Sequence, residues 1–589
     1  MSANWSRSRL SHRRALEPRA AWLAVALALA TSPAAFAGPA ASLAPVPTPA
    51  DTTTRAGRWQ GDLQFLVAQL RWIHPKPFQS VSESEFMAAT ADLERRLPSL
   101  GDASTAFEMQ SLVARLRDGH TSFAMAPPWP GIDRLLPLRV YPFQDGLYVT
   151  VAAREYATLV GGRVTRIGAL DADAAFERVR VLASGDNEFT TLDRAPSLLM
   201  NPVLLATLGI APSEDSCSFE VEGRDGKHHQ ATVKAVALAA FDMHRMLRGD
   251  ELPVADGVRA LDGAGGPAPL YLRARDKNYW FEYVPESKLL YFQFNSVQND
   301  PDESFADFCR RMFDFVDQHD IDRMVIDVRF NHGGNNQLVK PLIRGLIKRD
   351  ETVNRRGHLF TITGRGTFSA AMNTTAWLEQ NTNTLFVGEP TGAMPNHFGD
   401  ATLVTLPYSH LQVWISHWAW QNTLPWDARP YIAPHLPAPL SFADYATNRD
   451  PALDAVLHYG EEPSLTDRVR PLLEIGNREG ARAAYAEYRK RHPDLWGRTT
   501  ETEINALGYA LLGDGKTDLA IEVLHWNVAS YPKSPNAYDS VAEAYLKQGD
   551  MPQATAWYRK TLEVDPQFAN ATQMLQRLAA HGGTPPAGH

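Results

Sequence analysis

Two apolar strand patterns, each leading through a polar turn into a helix pattern, constrain this chain more than any other feature. Met324-Val325-Ile326-Asp327-Val328-Arg329 reads as a buried strand, and Asn331-His332-Gly333-Gly334-Asn335-Asn336 follows it before a helix from Leu338 to Lys348. Gly357-His358-Leu359-Phe360-Thr361-Ile362-Thr363 reads as the next strand. Gly364-Arg365-Gly366-Thr367-Phe368-Ser369 is its turn, and Ala370 to Gln380 is its helix. Strands alternating with helices imply crossover units and a mostly parallel sheet. Loops at the carboxyl ends of such strands make the active site, and both the Gly333-Gly334 turn and Ser369 fall there. Two readings of Ser369 compete. It is a helix N-cap, for which serine is a preferred residue, or it is a nucleophile. In the second reading the free N–H groups and positive dipole end of the helix favour developing negative charge.

The same alternation extends over 278–460, with a strand at Leu289–Phe294 and an amphipathic helix from Phe305 to His319. Residues 58–130 are helical in pattern. Leu63, Leu66, Val67 and Leu70, then Phe86, Leu93 and Leu97, then Phe107, Leu112, Val113 and Leu116 recur near a 3.6-residue period. His74-Pro75-Lys76-Pro77 breaks the first helix. The last runs into Asp118-Gly119-His120-Thr121, where Gly119 is the expected stop, and this puts His120 at a helix-to-loop junction. Residues 131–277 look β-rich, with a hairpin signal in Leu138–Phe143 and Leu147–Val151 around Gln144-Asp145-Gly146. The Gly161-Gly162 pair lacks the spacing of a dinucleotide fingerprint.

The ends differ from the middle. Arg7, Arg9, Arg13, Arg14 and Arg19 precede an apolar run from Ala20 to Ala30 and a small-x-small site at Ala35-Phe36-Ala37. That is the pattern of a secretory signal over 1–37, with an uncleaved anchor as the other reading, and 38–57 reads as an Ala/Pro/Thr-rich linker. The expected location is periplasmic or secreted, with no membrane span after cleavage. Near the other end, Ala510, Gly515, Ala520 and Pro532 recur as Ala544, Gly549, Ala554 and Pro566, each offset by 34 residues. This is the tetratricopeptide period of paired antiparallel helices, which usually present a binding surface, and it assigns 465–580 to such repeats. A net charge of -9 without a long basic run argues against nucleic acid as the main partner. Cys217 and Cys309 are too few for a disulfide framework, and Cys309 reads as a buried thiol on its helix.

Taken in order, Asp118-Gly119-His120-Thr121, Ile326-Asp327-Val328-Arg329-x-Asn331-x-Gly333-Gly334, Gly366-Thr367-Phe368-Ser369-Ala370 and Gly388-Glu389-Pro390-Thr391-Gly392 form a set. Together they resemble the tail-specific (carboxyl-terminal-processing) serine peptidases, in the branch of the tricorn core and interphotoreceptor retinoid-binding protein. The resemblance spans roughly Trp59 to Tyr459 and leaves out the repeats. With the repeats added as a helical solenoid, it implies an α/β multidomain chain: a helical N-terminal region, a β-rich middle with a PDZ-like module as one reading, and a crotonase-like mixed-sheet core.

The resemblance further implies Ser369 as nucleophile, with Gly333 or Gly334 and the Ala370 N–H as the oxyanion hole. Tail-specific members place a lysine base about twenty-five residues after the serine. Here that position is Met394, and no lysine lies between Ser369 and Asn448. The tricorn branch uses a histidine from the N-terminal side, which His120 matches, and imidazole suits a base near neutral pH. That branch has a serine before the histidine, oriented by a distant glutamate; here Gly119 stands there. Asp427, in Trp426-Asp427-Ala428-Arg429, and Glu389 are the candidate orienting acids, with Arg429 an obvious structural partner for Asp427. His397 is the alternative base. No cofactor and no metal site is expected, because the histidines lack ligand-pair spacing. The expected function is an exported serine peptidase acting on a peptide or protein, with protein partners through the repeats. The alternative is a non-catalytic binding protein of the same fold.

Overall fold

The computed structural model describes residues 51–580 except 127, 242–256, 461–462 and 497–499. The signal pattern over 1–37 lies outside the described residues, as does the linker to residue 50. The chain divides into two compact units, 1–455 and 456–589.

A six-stranded sheet organises the first unit. Its strands lie side by side in the order Tyr279–Val284, Leu289–Phe294, Arg323–Asp327, Leu359–Thr363, Leu385–Gly388 and Leu436–Pro437. The first pair is antiparallel and every later pair is parallel. All six residues of Leu289–Phe294 and all five of Leu359–Thr363 are buried, as expected of strands covered on both faces. The crossover helices Phe305–Gln318 and Lys340–Ile347 pack Phe305, Phe308, Met312, Leu342 and Leu346 against Phe292, Phe294 and Ile326. Cys309 is buried in this layer, and both cysteines are free. The helix expected from Leu338 begins as a 3-10 turn, Asn336–Val339, whose start is capped by the Asn335 side chain, and becomes α-helical from Lys340.

Three helices, Arg55–Ile73, Glu83–Arg96 and Asp102–Ala114, open the described chain. Their apolar faces share one core with the antiparallel middle sheet: Leu63, Phe86 and Phe107 belong with Val149, Val164 and Phe219. That core also takes in Val413 and Ile415, from a small sheet in which Gln412–Ile415 pairs with Ser122–Phe123, just past His120. The middle region holds more helix than its sequence pattern suggests. Glu188–Leu198 and Pro202–Thr207 are both helical. Pro196 inside the first of them disguises it, while Asn187 caps it by accepting from the Phe189 and Thr190 N–H groups.

The second unit contains seven helices among its described residues, from Leu465–Glu474 to Ala569–Ala580. Gly515 and Gly549, matched at the 34-residue offset, both take positive φ, 73° and 89°, between successive helices. The matched pair Ala520 and Ala554 is fully buried, whereas Ala510 is exposed and its counterpart Ala544 is buried.

Candidate active site

Ser369 stands at the N-cap of the Ala370–Asn381 helix, but its side chain makes no capping hydrogen bond. Instead its Oγ lies 2.9 Å from Nε2 of His120. Its backbone is at φ 54°, ψ -126°, a conformation costly for a residue with a Cβ. The turn that enforces this is locked on several sides. The Thr367 hydroxyl donates to the Val328 carbonyl and accepts from the Gly364 N–H, and the Phe368 N–H donates to the Asn331 carbonyl. The N-cap reading of Ser369 is therefore half right: the position is a cap, and the hydroxyl is used elsewhere.

Facing this turn is the Gly333-Gly334 loop. A Cβ on Gly333 would sit 2.6 Å from the Ser369 Cβ and 2.8 Å from the Ala370 nitrogen, and φ there is 109°. On Gly334, at φ 138°, a Cβ would sit 2.3 Å from the Val297 carbonyl oxygen. Both glycines are thus required by space and by conformation. Their N–H groups differ. That of Gly333 is taken by the Asn331 side-chain oxygen at 2.9 Å. Those of Gly334 and Ala370 have no hydrogen-bond partner among the described residues.

His120 is held by its backbone and by stacking. Its N–H donates to Asp118 Oδ1 at 2.9 Å, and its ring stacks on Phe368 with centroids 4.4 Å apart. The other Asp118 oxygen accepts from His74 Nε2 at 3.0 Å and from the Thr121 hydroxyl. His74 Nδ1 accepts the Lys76 N–H, so the His74 proton is on Nε2 and points at Asp118. Burial would raise the Asp118 pKa; the His74 hydrogen bond and the nearby His120 and His74 rings more than reverse this and hold it ionised. Burial pushes His120 down to about 3, with His397 adding to the shift and Asp118 opposing it. The ring is therefore neutral at neutral pH.

Among the described residues no carboxylate hydrogen-bonds the outer nitrogen, Nδ1, of His120, which is buried without a partner there that meets hydrogen-bond geometry. Asp118, and after it the Phe398 backbone, favour the protonated ring. The two candidate acids are engaged elsewhere. Glu389 forms a two-pronged ion pair with Arg365, at 2.6 and 3.0 Å. Asp427 pairs with Arg429 at 2.8 Å, and this holds its carboxyl down to about 2. Arg429 also binds Glu379. His397 does not hydrogen-bond Ser369. Its Nδ1 donates to the Met394 carbonyl at 3.1 Å, its ring lies parallel to that of His120 at 5.8 Å, and burial lowers it to about 4.

Gly119 does not end the helix. Asp102–Ala114 ends earlier, and Arg117 takes the positive φ of 50°. What Gly119 supplies is room: a Cβ there would lie 2.7 Å from the Phe368 ring. Three residues around it are absent from the sequence-based site. Asp186 Oδ1 accepts the Gly119 N–H at 2.6 Å, Arg194 donates to the Gly119 carbonyl at 2.6 Å, and His74 holds Asp118. Burial, with the charge of Asp118 second, pushes Asp186 up to about 7. The only local sign is the capping Asn187 after Asp186; contact with the Asp118-Gly119 segment before His120 comes from the fold.

No protein-family model and no curated protein matches the chain. Solved structures do. Mature CPAF complexed with lactacystin is similar over 68% of this chain and 99% of its own, at 12% identity and a TM-score of 0.49. The photosystem II D1 C-terminal processing protease is similar over 68% of this chain and 96% of its own, at 13% identity and a TM-score of 0.32. Tricorn protease is similar over 68% of this chain and 36% of its own, at 12% identity and a TM-score of 0.31.

Proposed function

We propose that the chain is a serine peptidase in which Ser369 is the nucleophile and His120 the general base. One observation carries this: the Ser369 hydroxyl, free of the helix it could cap, lies 2.9 Å from a neutral imidazole nitrogen. A serine hydroxyl is a poor nucleophile until a base takes its proton. As Oγ attacks the peptide carbonyl, the proton passes to His120 Nε2, which requires the other ring proton on Nδ1. The tetrahedral oxyanion is received by the Gly334 and Ala370 N–H groups, with Gly333 holding the loop rather than donating. His120 then protonates the leaving amine, and water attacks the acyl-enzyme with the same base. Burial opposes the imidazolium, and two negative charges offset this: ionised Asp118 and the developing oxyanion. Asp118 thereby fills the orienting role through the His120 backbone instead of through the ring.

A binding-only protein has no need of a strained serine on an imidazole, and that contrast favours catalysis. Labelling with a serine-reactive phosphonate probe tests it. Wild type should label and Ser369→Ala should not; equal labelling would remove Ser369 as nucleophile. Export is proposed from the basic and apolar pattern of residues 1–37, and cell fractionation of the full chain tests that. The 34-residue repeats are proposed as a protein-binding tetratricopeptide module, tested by whether deleting 465–580 abolishes capture of a partner while leaving labelling intact.

A further inference from the structure

The segment from Asp186 to Arg194 touches every part of the proposed site. Asp186 accepts the Gly119 N–H and faces the Met394 N–H at 3.4 Å. Asn187 donates to the Thr391 and Pro430 carbonyls at 3.0 and 2.7 Å, and Thr190 donates to the Gly392 carbonyl. Asp193 meets Nε2 of His332, the residue before Gly333, at 3.0 Å. Arg194 donates through one nitrogen to the Gly119 carbonyl at 2.6 Å and to the Ser184 carbonyl at 2.9 Å. Its guanidinium carbon lies 4.7 Å from the centre of the Phe368 ring, the ring on which His120 stacks.

Consecutive helical residues project about 100° apart, so one turn of helix reaches two different loops. Asp193 goes to the oxyanion loop, and Arg194 goes to the base loop and the nucleophile turn. Gly119 is gripped on both its backbone polar groups, by a carboxylate and by a guanidinium. Such a grip fixes the peptide whose next residue carries the catalytic ring. The guanidinium is also planar, which suits it to lie over Phe368 while its N–H groups bind carbonyls. Burial lowers the Arg194 pKa, and Asp193, Asp186 and Asp118 support its charge.

Building on the Ser369–His120 reading, we propose that Asp193 and Arg194 are positioning residues, which hold the base loop, the nucleophile turn and the oxyanion loop in one register. Neither touches the reacting atoms. Their effect is on the geometry of attack, where a small displacement costs a large factor in rate.

The test is the time course of phosphonate labelling of the full chain at several probe concentrations, with thermal unfolding of each variant alongside. Wild type and Ser369→Ala set the limits. Arg194→Met, which keeps length and loses the donors, should lower the maximal labelling rate constant about tenfold or more, with the half-saturating probe concentration unchanged. Arg194→Lys should recover part of that loss, and Asp193→Asn should lower the rate constant about threefold. A purely structural role would reduce the fraction of molecules that label and leave the rate constant of that fraction as in wild type; this result overturns the proposal. So does an Arg194→Met rate constant equal to that of wild type. Should Arg194→Met fail to fold, Asp193→Asn decides: a wild-type rate constant overturns the proposal, and a lowered one supports it. Wild type that does not label at Ser369 would instead overturn the peptidase reading on which the proposal stands.

Discussion

The two halves of the proposed catalytic pair are built in opposite ways. Ser369 is a local product: a strand, a tight turn and a helix in immediate succession, with the facing glycine loop supplied by the neighbouring parallel strand. His120 is a product of the whole first unit. Its placement depends on His74 from just past the first helix, Asp186 and Arg194 from the middle region, and Phe368, His397 and Phe398 from the core. Local construction gives a nucleophile whose backbone strain is imposed by its own turn. Distributed construction gives a base whose position and protonation are set by packing between distant segments.

That contrast can be broken from either side. The largest effect is expected at Gly333, where the turn and the glycine loop touch. Gly333→Ala would force a methyl group to within 2.6 Å of the Ser369 Cβ at a φ of 109°. A fall in kcat/KM of about a hundredfold or more is expected, the scale of oxyanion-hole damage. Activity within a few-fold of wild type would show that the two loops are not rigidly apposed.

Next in size is Asp118→Asn, which attacks the distributed half. It replaces the charged acceptor of the buried hydrogen bond from His74 with a neutral one, and the expected cost is about 2 kcal/mol of stability in denaturant unfolding. It also removes the charge that supports the His120 imidazolium, so kcat should fall about tenfold while KM changes little. A loss of stability without the kcat effect would confine Asp118 to holding the loop.

A pH series probes the base more gently. The pKa of His120 falls to about 3 and that of His397 to about 4, from 6.5. A histidine with a depressed folded pKa contributes stability that is present above 6.5 and lost as pH falls through the folded value. Thermal stability should therefore drop as pH falls from 6.5 toward 3. His397→Gln should blunt that drop. It should also move the acid limb of the labelling rate upward, since the positive charge of His397 no longer opposes protonation of His120. An acid limb that stays put or moves down would uncouple the two rings.

The smallest effect is expected at Asp427. Its carboxylate is committed to Arg429, so Asp427→Asn should change kcat/KM by no more than about twofold, as for a partly exposed ion pair. A tenfold loss would return it to the role of orienting acid and make the base side less self-contained than described.

What the sequence discloses follows the same division. The parallel core is legible because buried strands and their crossover helices write continuous apolar runs and 3.6-residue periods. Ser369, the Gly333-Gly334 loop and Ala370 are legible because their relation is local. His120 could be named only through its motif, and its true neighbours could not be named at all. Asp186, Arg194 and His74 lie 66, 74 and 46 residues from His120, and no local rule links them to it. The helix that carries Arg194 was further concealed by Pro196. Glu389 and Asp427 looked suitable as orienting acids because they are acids near the site. In the structure each is matched to an arginine, a pairing that sequence suggests only for Asp427, two residues from Arg429.

The tight fit of Gly119 against Phe368 has a consequence for how such a site could change over time. A serine ahead of the histidine would place its Cβ where the Phe368 ring already stands, 2.7 Å away. The two positions, 249 residues apart, are therefore tied as an exclusive choice. Either an aromatic ring seats the imidazole and a glycine precedes it, or the ring shrinks and a hydroxyl-bearing relay has room to form. With the ring in place the serine does not fit, so it enters only where Phe368 has moved or has given way to a smaller residue.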